Sequence, residues 1–290
     1  MSSAIVTRFA PSPTGLLHPG HAFSALFAFE AARRNGGRFV LRIEDIDFTR
    51  CRREFEDAIL EDLAWLGIAW ETPVRRQSDH LHEYATAAEQ LRVRGLLYPC
   101  FCTRKDIQRE IEAAGAAPHG PEGPLYPGLC RSLSEDERQS RIASGESFAM
   151  RLDLNRALAE TGGDLEWIDL ERGPQQAQPE ILGDVVLVRK DIGCSYHLAV
   201  VMDDALQGVT RITRGEDLFE ATHVQRLLQA LLDLPTPEYH HHPLICDWQG
   251  KRFAKRDDAE TLRSLRLRGV TVSQLRVRLG FSQTYHLKSH

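Results

Sequence analysis

The chain has 290 residues, with 36 Lys+Arg against 41 Asp+Glu, a formal charge of −5 with neutral His, and 42% hydrophobic and 27% charged residues. These are ordinary proportions for a globular protein, at a length that gives one large domain with an insertion or two domains. They exclude a membrane span, because no run reaches about 18 apolar residues, and an acidic balance argues against a protein that coats nucleic acid non-specifically while leaving room for a local basic patch. No basic-then-apolar leader is read at the start, so a cytoplasmic protein is expected, and its six Cys suggest thiols or a metal site rather than a disulfide framework.

Ile5 to Phe9 reads as a short buried strand that runs into the Pro- and Gly-broken loop Ala10-Pro11-Ser12-Pro13-Thr14-Gly15. The apolar spacing predicts a helix from Gly20 to Arg34, stopped by Asn35-Gly36-Gly37. Arg38 to Ile43 reads as a second strand, then the acidic turn Glu44-Asp45-Ile46-Asp47, then a helix from Cys51 to Leu66. Strand–helix–strand–helix in this order is a parallel α/β unit. The segment from about Cys100 to Arg131 is rich in Gly and Pro, with a helical stretch after Thr103. Residues 132–180 look like a helix followed by short strands such as Phe148 to Leu152, and the whole region reads as an insertion. The parallel sheet is expected to resume with strands over Asp184 to Arg189 and Tyr196 to Val201, followed by a helix from Leu218 to Leu232. From Lys251 to Gly280 there are nine Lys/Arg and three acids, so the tail opposes the charge of the whole.

Two places carry phosphate-handling chemistry. Thr14-Gly15-Leu16-Leu17-His18-Pro19-Gly20-His21 sits where a strand hands over to a helix N-terminus, with free backbone N–H groups and a positive dipole end. Two imidazoles three residues apart can donate to phosphate oxygens from one side. Alone, the pair reads more readily as a prolyl turn with surface His, and less readily as half of a zinc site, because no third ligand follows nearby. Gly250-Lys251-Arg252-Phe253-Ala254-Lys255-Arg256 is a basic loop ahead of a helix. It can close over a triphosphate, and alone it also reads as a solvated surface.

Taken together the segments are specific. Arg8-Phe9-Ala10-Pro11-Ser12-Pro13-Thr14-Gly15 with His18-Pro19-Gly20-His21 resembles the opening of class I glutamyl- and glutaminyl-tRNA synthetases, which contains their HIGH motif. Arg252-Phe253-Ala254-Lys255-Arg256 resembles their KMSKS-type loop. Leu41-Arg42-Ile43-Glu44-Asp45-Ile46-Asp47 is similar to their LRIEDTD segment, and Arg211 to Leu218 to a VIRGEDL-like strand end. Pro19 and Phe253-Ala254 depart from the usual residues but leave His18, His21 and Lys255 in place.

The resemblance implies an α/β fold: a class I synthetase Rossmann-like parallel sheet with a zinc-containing α+β insertion and a short helical C-terminal segment. The expected divisions are 1–97 and 183–250 for the two halves of the catalytic domain, 98–182 for the insertion, and 251–290 for the loop and tail. It implies a ligase with His18, His21 and Lys255 as catalytic residues, and ATP held by His18, Gly20, His21, Arg252 and Lys255 with Mg²⁺ accompanying the nucleotide. L-Glutamate needs cations for two carboxylates and an acid for the ammonium. By resemblance Arg8, Phe9, Ala10, Pro11, Ser12, Glu44, Tyr196 and Arg214 line its pocket.

Cys100-Phe101-Cys102 with Tyr126 and Cys130 fits one structural Zn²⁺ site that pins a loop-rich segment. Free thiols beside a buried Tyr are the other reading, and the resemblance favours the metal. This Cys-x-Cys, Tyr-x-x-x-Cys form resembles the short synthetase relatives that act on queuosine in tRNA(Asp). Full-length discriminating enzymes carry a further anticodon-reading domain, and only about 35 residues follow Lys255 here. The expected partners are therefore ATP, glutamate and queuosine-bearing tRNA(Asp), for a monomer with no membrane attachment.

Overall fold

A computed structural model describes residues 4–113, 119–120, 123–244 and 260–281. In chain order the elements begin with β1 (Val6–Phe9), α1 (Pro19–Arg34), β2 (Arg38–Ile43), α2 (Arg53–Trp65), β3 (Arg75–Arg76), α3 (Leu81–Val93) and β4 (Leu97–Cys100). Next come α4 (Arg104–Ala113), β5 (His119–Gly120), β6 (Gly123–Pro124), α5 (Glu135–Ala143), β7 (Ala149–Leu152), α6 (Leu154–Thr161), β8 (Glu166–Asp169) and β9 (Gly173–Gln176). The remainder are β10 (Val186–Val188), α7 (Tyr196–Leu206), β11 (Arg211–Gly215), α8 (Ala221–Leu231), β12 (Glu238–His242), α9 (Leu262–Leu267) and α10 (Val272–Arg278). Among the described residues no helix is long and apolar enough to cross a membrane.

The chain forms two compact units. The first comprises Met1–Arg76, Arg211–Glu216 and His242–His290; the second comprises Gln77–Thr210 and Asp217–His241. The first boundary thus falls at Arg76, inside the 1–97 segment of the sequence reading.

In the first unit β1, β2 and β3 form a parallel sheet, with Val6 opposite Arg38 and Arg42 opposite Arg75. β1 is buried throughout and β2 beyond its first residue, as expected of a parallel sheet covered on both faces. The turn from α1 into β2 depends on Gly37. A Cβ there would lie 2.0 Å from the Ile5 carbonyl oxygen, which instead accepts from the Arg38 N–H at 2.8 Å and starts the strand pairing. Leu26, Leu41, Ile43, Ile59 and Leu63 form a core that also takes in Leu262, Leu265 and Leu275 of α9 and α10. Two ion pairs fasten those helices: Arg276 to the buried Glu30 of α1, and Arg266 to the buried Asp62 of α2.

In the second unit β4, β7 and β10 form an antiparallel sheet, while β12 pairs parallel and β9 antiparallel with β8. Tyr84 and Gln77 both donate to the buried Asp203 of α7 at 2.9 Å. Two sequence expectations are corrected here. The strand expected over Asp184 to Arg189 is β10, but it joins an antiparallel sheet rather than resuming a parallel one. The strand expected over Tyr196 to Val201 is the first half of α7. Ser195 caps this helix by accepting from the Leu198 N–H, and His197, Leu198, Ala199, Val200 and Val201 are all buried. A helix buried all round shows no 3.6-residue stripe, so a continuous apolar run does not separate it from a buried strand.

Candidate active site

The N-terminus of α1 is built from its own capping residues. His18 is the N-cap, with extended backbone; its Nδ1 accepts from the Gly20 N–H at 3.1 Å, and the His21 Nδ1 accepts from the His18 N–H at 3.2 Å. Pro19 fills the first helical position, where no N–H is needed. The rings lie with centroids 3.7 Å apart. A nitrogen that accepts carries no proton, so each neutral ring holds its proton on Nε2. The capping box thereby sets two Nε2–H donors beside the positive end of the helix dipole, an arrangement suited to phosphate. Gly20 is required by the same geometry: a Cβ would sit 2.9 Å from His18 Cε1. Around Gly15 a Cβ would meet nothing within 4 Å, so the backbone is open to a ligand there.

Behind the caps, Ser24 Oγ lies 3.0 Å from His242 Nε2, and His242 packs edge-on against Phe23. The segment bearing Arg252 and Lys255 lies outside the described residues. Its flanks are tied into the first unit: the Leu244 N–H donates to Glu216 at 3.4 Å, and the Leu262 N–H donates to the carbonyl of Leu17 at 2.8 Å, directly beside His18.

The charged residues assigned to glutamate gather on the strands of the first unit. Arg8 of β1 is buried and donates through Nη1 to the Thr213 carbonyl of β11 at 2.9 Å; Arg214, next along β11, is buried too. Glu44 follows β2, where its N–H donates to the Pro11 carbonyl at 3.0 Å, while the Arg52 N–H donates to Pro13 at 2.9 Å. These two bonds clamp the loop of Ala10, Pro11 and the exposed Ser12 onto the acidic turn. The Phe9 ring packs in the core. Tyr196 opens α7, in the second unit.

Sequence reasoning missed Arg42 and His242. Arg42 is wholly buried, and its Nη2 lies 3.1 Å from the Glu44 carboxylate. The Arg42-x-Glu44 spacing suggests that the two side chains share a face, but not that Arg42 is buried. Two buried arginines and a carboxylate held by a third are the complement of a dicarboxylate that also bears an ammonium group.

In the second unit the Cys100, Cys102 and Cys130 sulfurs all lie within 4.8 Å of one another. Tyr126 Oη is 3.5 Å from Cys100 Sγ and 3.6 Å from Cys102 Sγ, and Cys102 Sγ is 3.4 Å from Cys130 Sγ. A tetrahedral Zn²⁺ with bonds of about 2.3 Å to sulfur and about 2.0 Å to oxygen needs S···O near 3.5 Å and S···S near 3.8 Å. The four donors fit that ion. Without it, burial pushes the Cys102 thiol up to about 12 and raises the Tyr126 phenol as well. Burial also raises Cys130, but hydrogen bonds involving Tyr126, the Phe101 N–H and Cys102 outweigh it and bring this thiol below the ordinary value. Three cations surround the cluster: Arg151 stacks 3.8 Å over Tyr126, Arg141 lies 4.2 Å over Phe101, and Lys190 donates to the Phe101 carbonyl at 2.8 Å. They offset the negative charge of a thiolate–phenolate set around a divalent ion.

Comparison with known proteins decides what this site belongs to. The profile of the family tRNA synthetases class I (E and Q), catalytic domain, matches residues 4–283. The chain belongs to this synthetase family. It is 50% identical over 284 residues to the glutamyl-Q tRNA(Asp) synthetase of Rhodobacter capsulatus, covering 95% of this chain and 100% of that one. It is 39% identical to the glutamate–tRNA ligase of Hydrogenobaculum sp., covering 89% of this chain and 53% of that one. Among solved structures, the glutamate–tRNA synthetase of Elizabethkingia anophelis superposes with a TM-score of 0.75 at 30% identity, over 88% of this chain and 53% of that one. As a member of this family the protein is a class I ligase.

Proposed function

We propose that the protein activates L-glutamate with ATP and transfers it to the queuosine base at the wobble position of tRNA(Asp). The observation that carries this reading is the 50% identity over the full length of the Rhodobacter capsulatus glutamyl-Q tRNA(Asp) synthetase, against 39% for the Hydrogenobaculum glutamate–tRNA ligase.

In the first step a glutamate carboxylate oxygen attacks the α-phosphorus of ATP, which enters with Mg²⁺, and pyrophosphate leaves. The residues act by positioning and electrostatics. Arg8, Arg214 and Glu44 orient the amino acid. His18 and His21 donate through Nε2 to phosphate oxygens, Gly20 keeps the backbone clear, and Arg252 and Lys255 hold the charge that grows on the phosphates. In the second step a hydroxyl of the queuosine cyclopentenediol attacks the mixed anhydride, forming an ester and releasing AMP. Cys100, Cys102, Tyr126 and Cys130 hold a structural Zn²⁺, whose contribution is to cross-link the chain segments that bear them. The insertion and the basic tail contact the RNA backbone, and the protein works as a cytoplasmic monomer.

Labelled glutamate, ATP and Mg²⁺ are incubated with the protein and bulk tRNA from queuosine-replete and queuosine-deficient cells. Label that appears only in the replete pool, on tRNA(Asp), is the expected result. Equal labelling of both pools on tRNA(Glu) would replace this reading with that of a conventional glutamyl-tRNA synthetase. If neither pool is labelled, glutamate-dependent ATP–pyrophosphate exchange separates an activating enzyme with another acceptor from a non-catalytic binding module.

A further inference from the structure

The second unit contains a cavity of about 390 Å³, remote in sequence from every residue assigned to ATP or glutamate. This is within the range of small-ligand pockets, roughly 300–1,000 Å³. Its apolar part comes from Tyr98 and Pro99 of β4, Phe148, and Met150 of β7. Its cationic part comes from Arg131, Arg138 and Arg156, and Glu135 and Asp153 add two carboxylates.

The frame is fixed by one buried acid. Asp184 accepts from the Tyr98 hydroxyl at 2.5 Å, from Arg131 Nη1 at 3.0 Å and from the Leu154 N–H at 3.2 Å. Arg138 Nη2 donates to the Arg131 carbonyl at 2.8 Å, and Arg156 Nη1 donates to the Gly95 carbonyl at 3.0 Å. Arg138 Nη1 lies 3.7 Å from Glu135 and Arg156 Nε lies 3.4 Å from Asp153, long ion pairs that leave each guanidinium with further N–H donors, and Arg138 Nε is shielded from solvent with no hydrogen-bond partner. A shielded donor without a partner costs about 1–3 kcal/mol, more when charged, and a turn of the Arg138 side chain toward a ligand acceptor would recover it.

We propose that this cavity binds one 5′-phosphorylated nucleoside, its base against Phe148 and Met150 and its phosphate on Arg131, Arg138 and Arg156. Aromatic and thioether faces accept any base by stacking and dispersion. Planar guanidinium groups match phosphate oxygens. Glu135 and Asp153 pair with Arg138 and Arg156 and hold those guanidinium groups in the cavity wall. The occupant is a nucleotide unstacked from the substrate RNA, an assignment that rests on the proposed tRNA activity; a free mononucleotide would present the same chemistry.

The test uses the metal-loaded full chain and two variants, Arg138→Ala and Gln139→Trp. Gln139 is an exposed residue of α5 lining the cavity, so an indole there fills the space without disturbing the core. Three quantities are read: ATP–pyrophosphate exchange without tRNA, the KM for tRNA in glutamate transfer, and binding of labelled 5′-CMP under excess ATP. The expected result is saturable CMP binding by the parent, lost in both variants, with the KM for tRNA raised about ten-fold or more, the scale of one charge-assisted hydrogen bond. Exchange stays within about two-fold of the parent, as expected when only ground-state RNA contacts are lost. Loss of CMP binding with an unchanged KM keeps the cavity and makes a free mononucleotide its occupant. A parent that does not bind CMP overturns the proposal, and a raised KM in that case assigns the arginines to the RNA backbone. A parent without exchange overturns the proposed function instead, and CMP binding alone then decides the cavity.

Discussion

The N-terminus of α1 and the thiol cluster both gather polar groups at a point, by opposite means. At α1 every fixed atom comes from residues 18–21, and the bonds that orient the rings are those that cap the helix. At the cluster the donors come from chain segments about 25 residues apart, and in metal-free form three sulfurs and a phenol crowd together, with Cys102 and Tyr126 pushed up by burial and Cys130 brought down by its hydrogen bonds. The first site is organised by the backbone and needs its ligand only to act. The second, if it holds the proposed Zn²⁺, is completed only by the ion that joins its donors. Substitutions should therefore separate stability from activity at α1 and couple stability to metal content at the cluster.

The largest effect is expected at the cluster. Cys130→Ser removes one of the four donors, a thiol that hydrogen bonds involving Tyr126, the Phe101 N–H and Cys102 bring below its ordinary proton affinity against the effect of burial. Zinc content should fall from about one equivalent to near none, and unfolding free energy by more than about 4 kcal/mol, the scale of a lost structural metal. A variant as stable as the parent after chelation would make the cluster a set of inert thiols. At α1 the corresponding change divides. His18→Ala should cost about 1 kcal/mol of stability through the lost cap and lower ATP–pyrophosphate exchange about 10²-fold through the lost phosphate donor. His18→Asn should restore the cap without the exchange, a pair of outcomes read by urea denaturation and steady-state kinetics on the same samples.

The same contrast governs what could be read from the amino-acid order. The α1 terminus was legible because its geometry is local: the N-cap, the Pro at the first helical position and the neighbouring His are contiguous letters. The Cys-x-Cys and Tyr-x-x-x-Cys pairs were legible as halves, and it is the folded chain that brings the halves within bonding distance of one ion. β1, α1 and β2 fell close to where apolar spacing placed them. α7 did not, because burial on all sides erased the periodicity that distinguishes helix from strand. Arg42 escaped attention because its importance is a matter of depth: a wholly buried guanidinium under Glu44 is indistinguishable, in sequence, from a surface arginine on an edge strand.

A smaller effect sharpens the reading of α1. Gly20→Ala puts a methyl group against the His18 ring, at 2.9 Å from Cε1, without touching the core. Displacing the proposed His18 phosphate donor by a fraction of an ångström should slow exchange by about ten-fold while the melting temperature stays within about 2 °C of the parent. A fall in melting temperature with unchanged exchange would mean that the ring serves the cap alone.

The smallest effect concerns what supports α1 from behind. Asp62, wholly buried on α2, meets Arg266 of α9 at 3.1 Å, and burial, opposed by that arginine, raises its carboxyl from the ordinary 3.8 to about 6. The folded protein therefore holds this proton more tightly than the unfolded chain, so the contribution of Asp62 to stability is greatest below pH 4 and declines as pH rises to about 6. Asp62→Asn removes the titration. Relative to the parent, the variant should gain roughly 1–2 kcal/mol between pH 4.5 and pH 7, less than the full shift implies because the window opens above the ordinary 3.8 of the unfolded carboxyl. The difference in urea midpoints between the two proteins at each pH isolates this group from the other carboxylates. A difference that does not change with pH would mean that Asp62 is ionised across the range and that the α2–α9 ion pair is strong enough to overcome its burial.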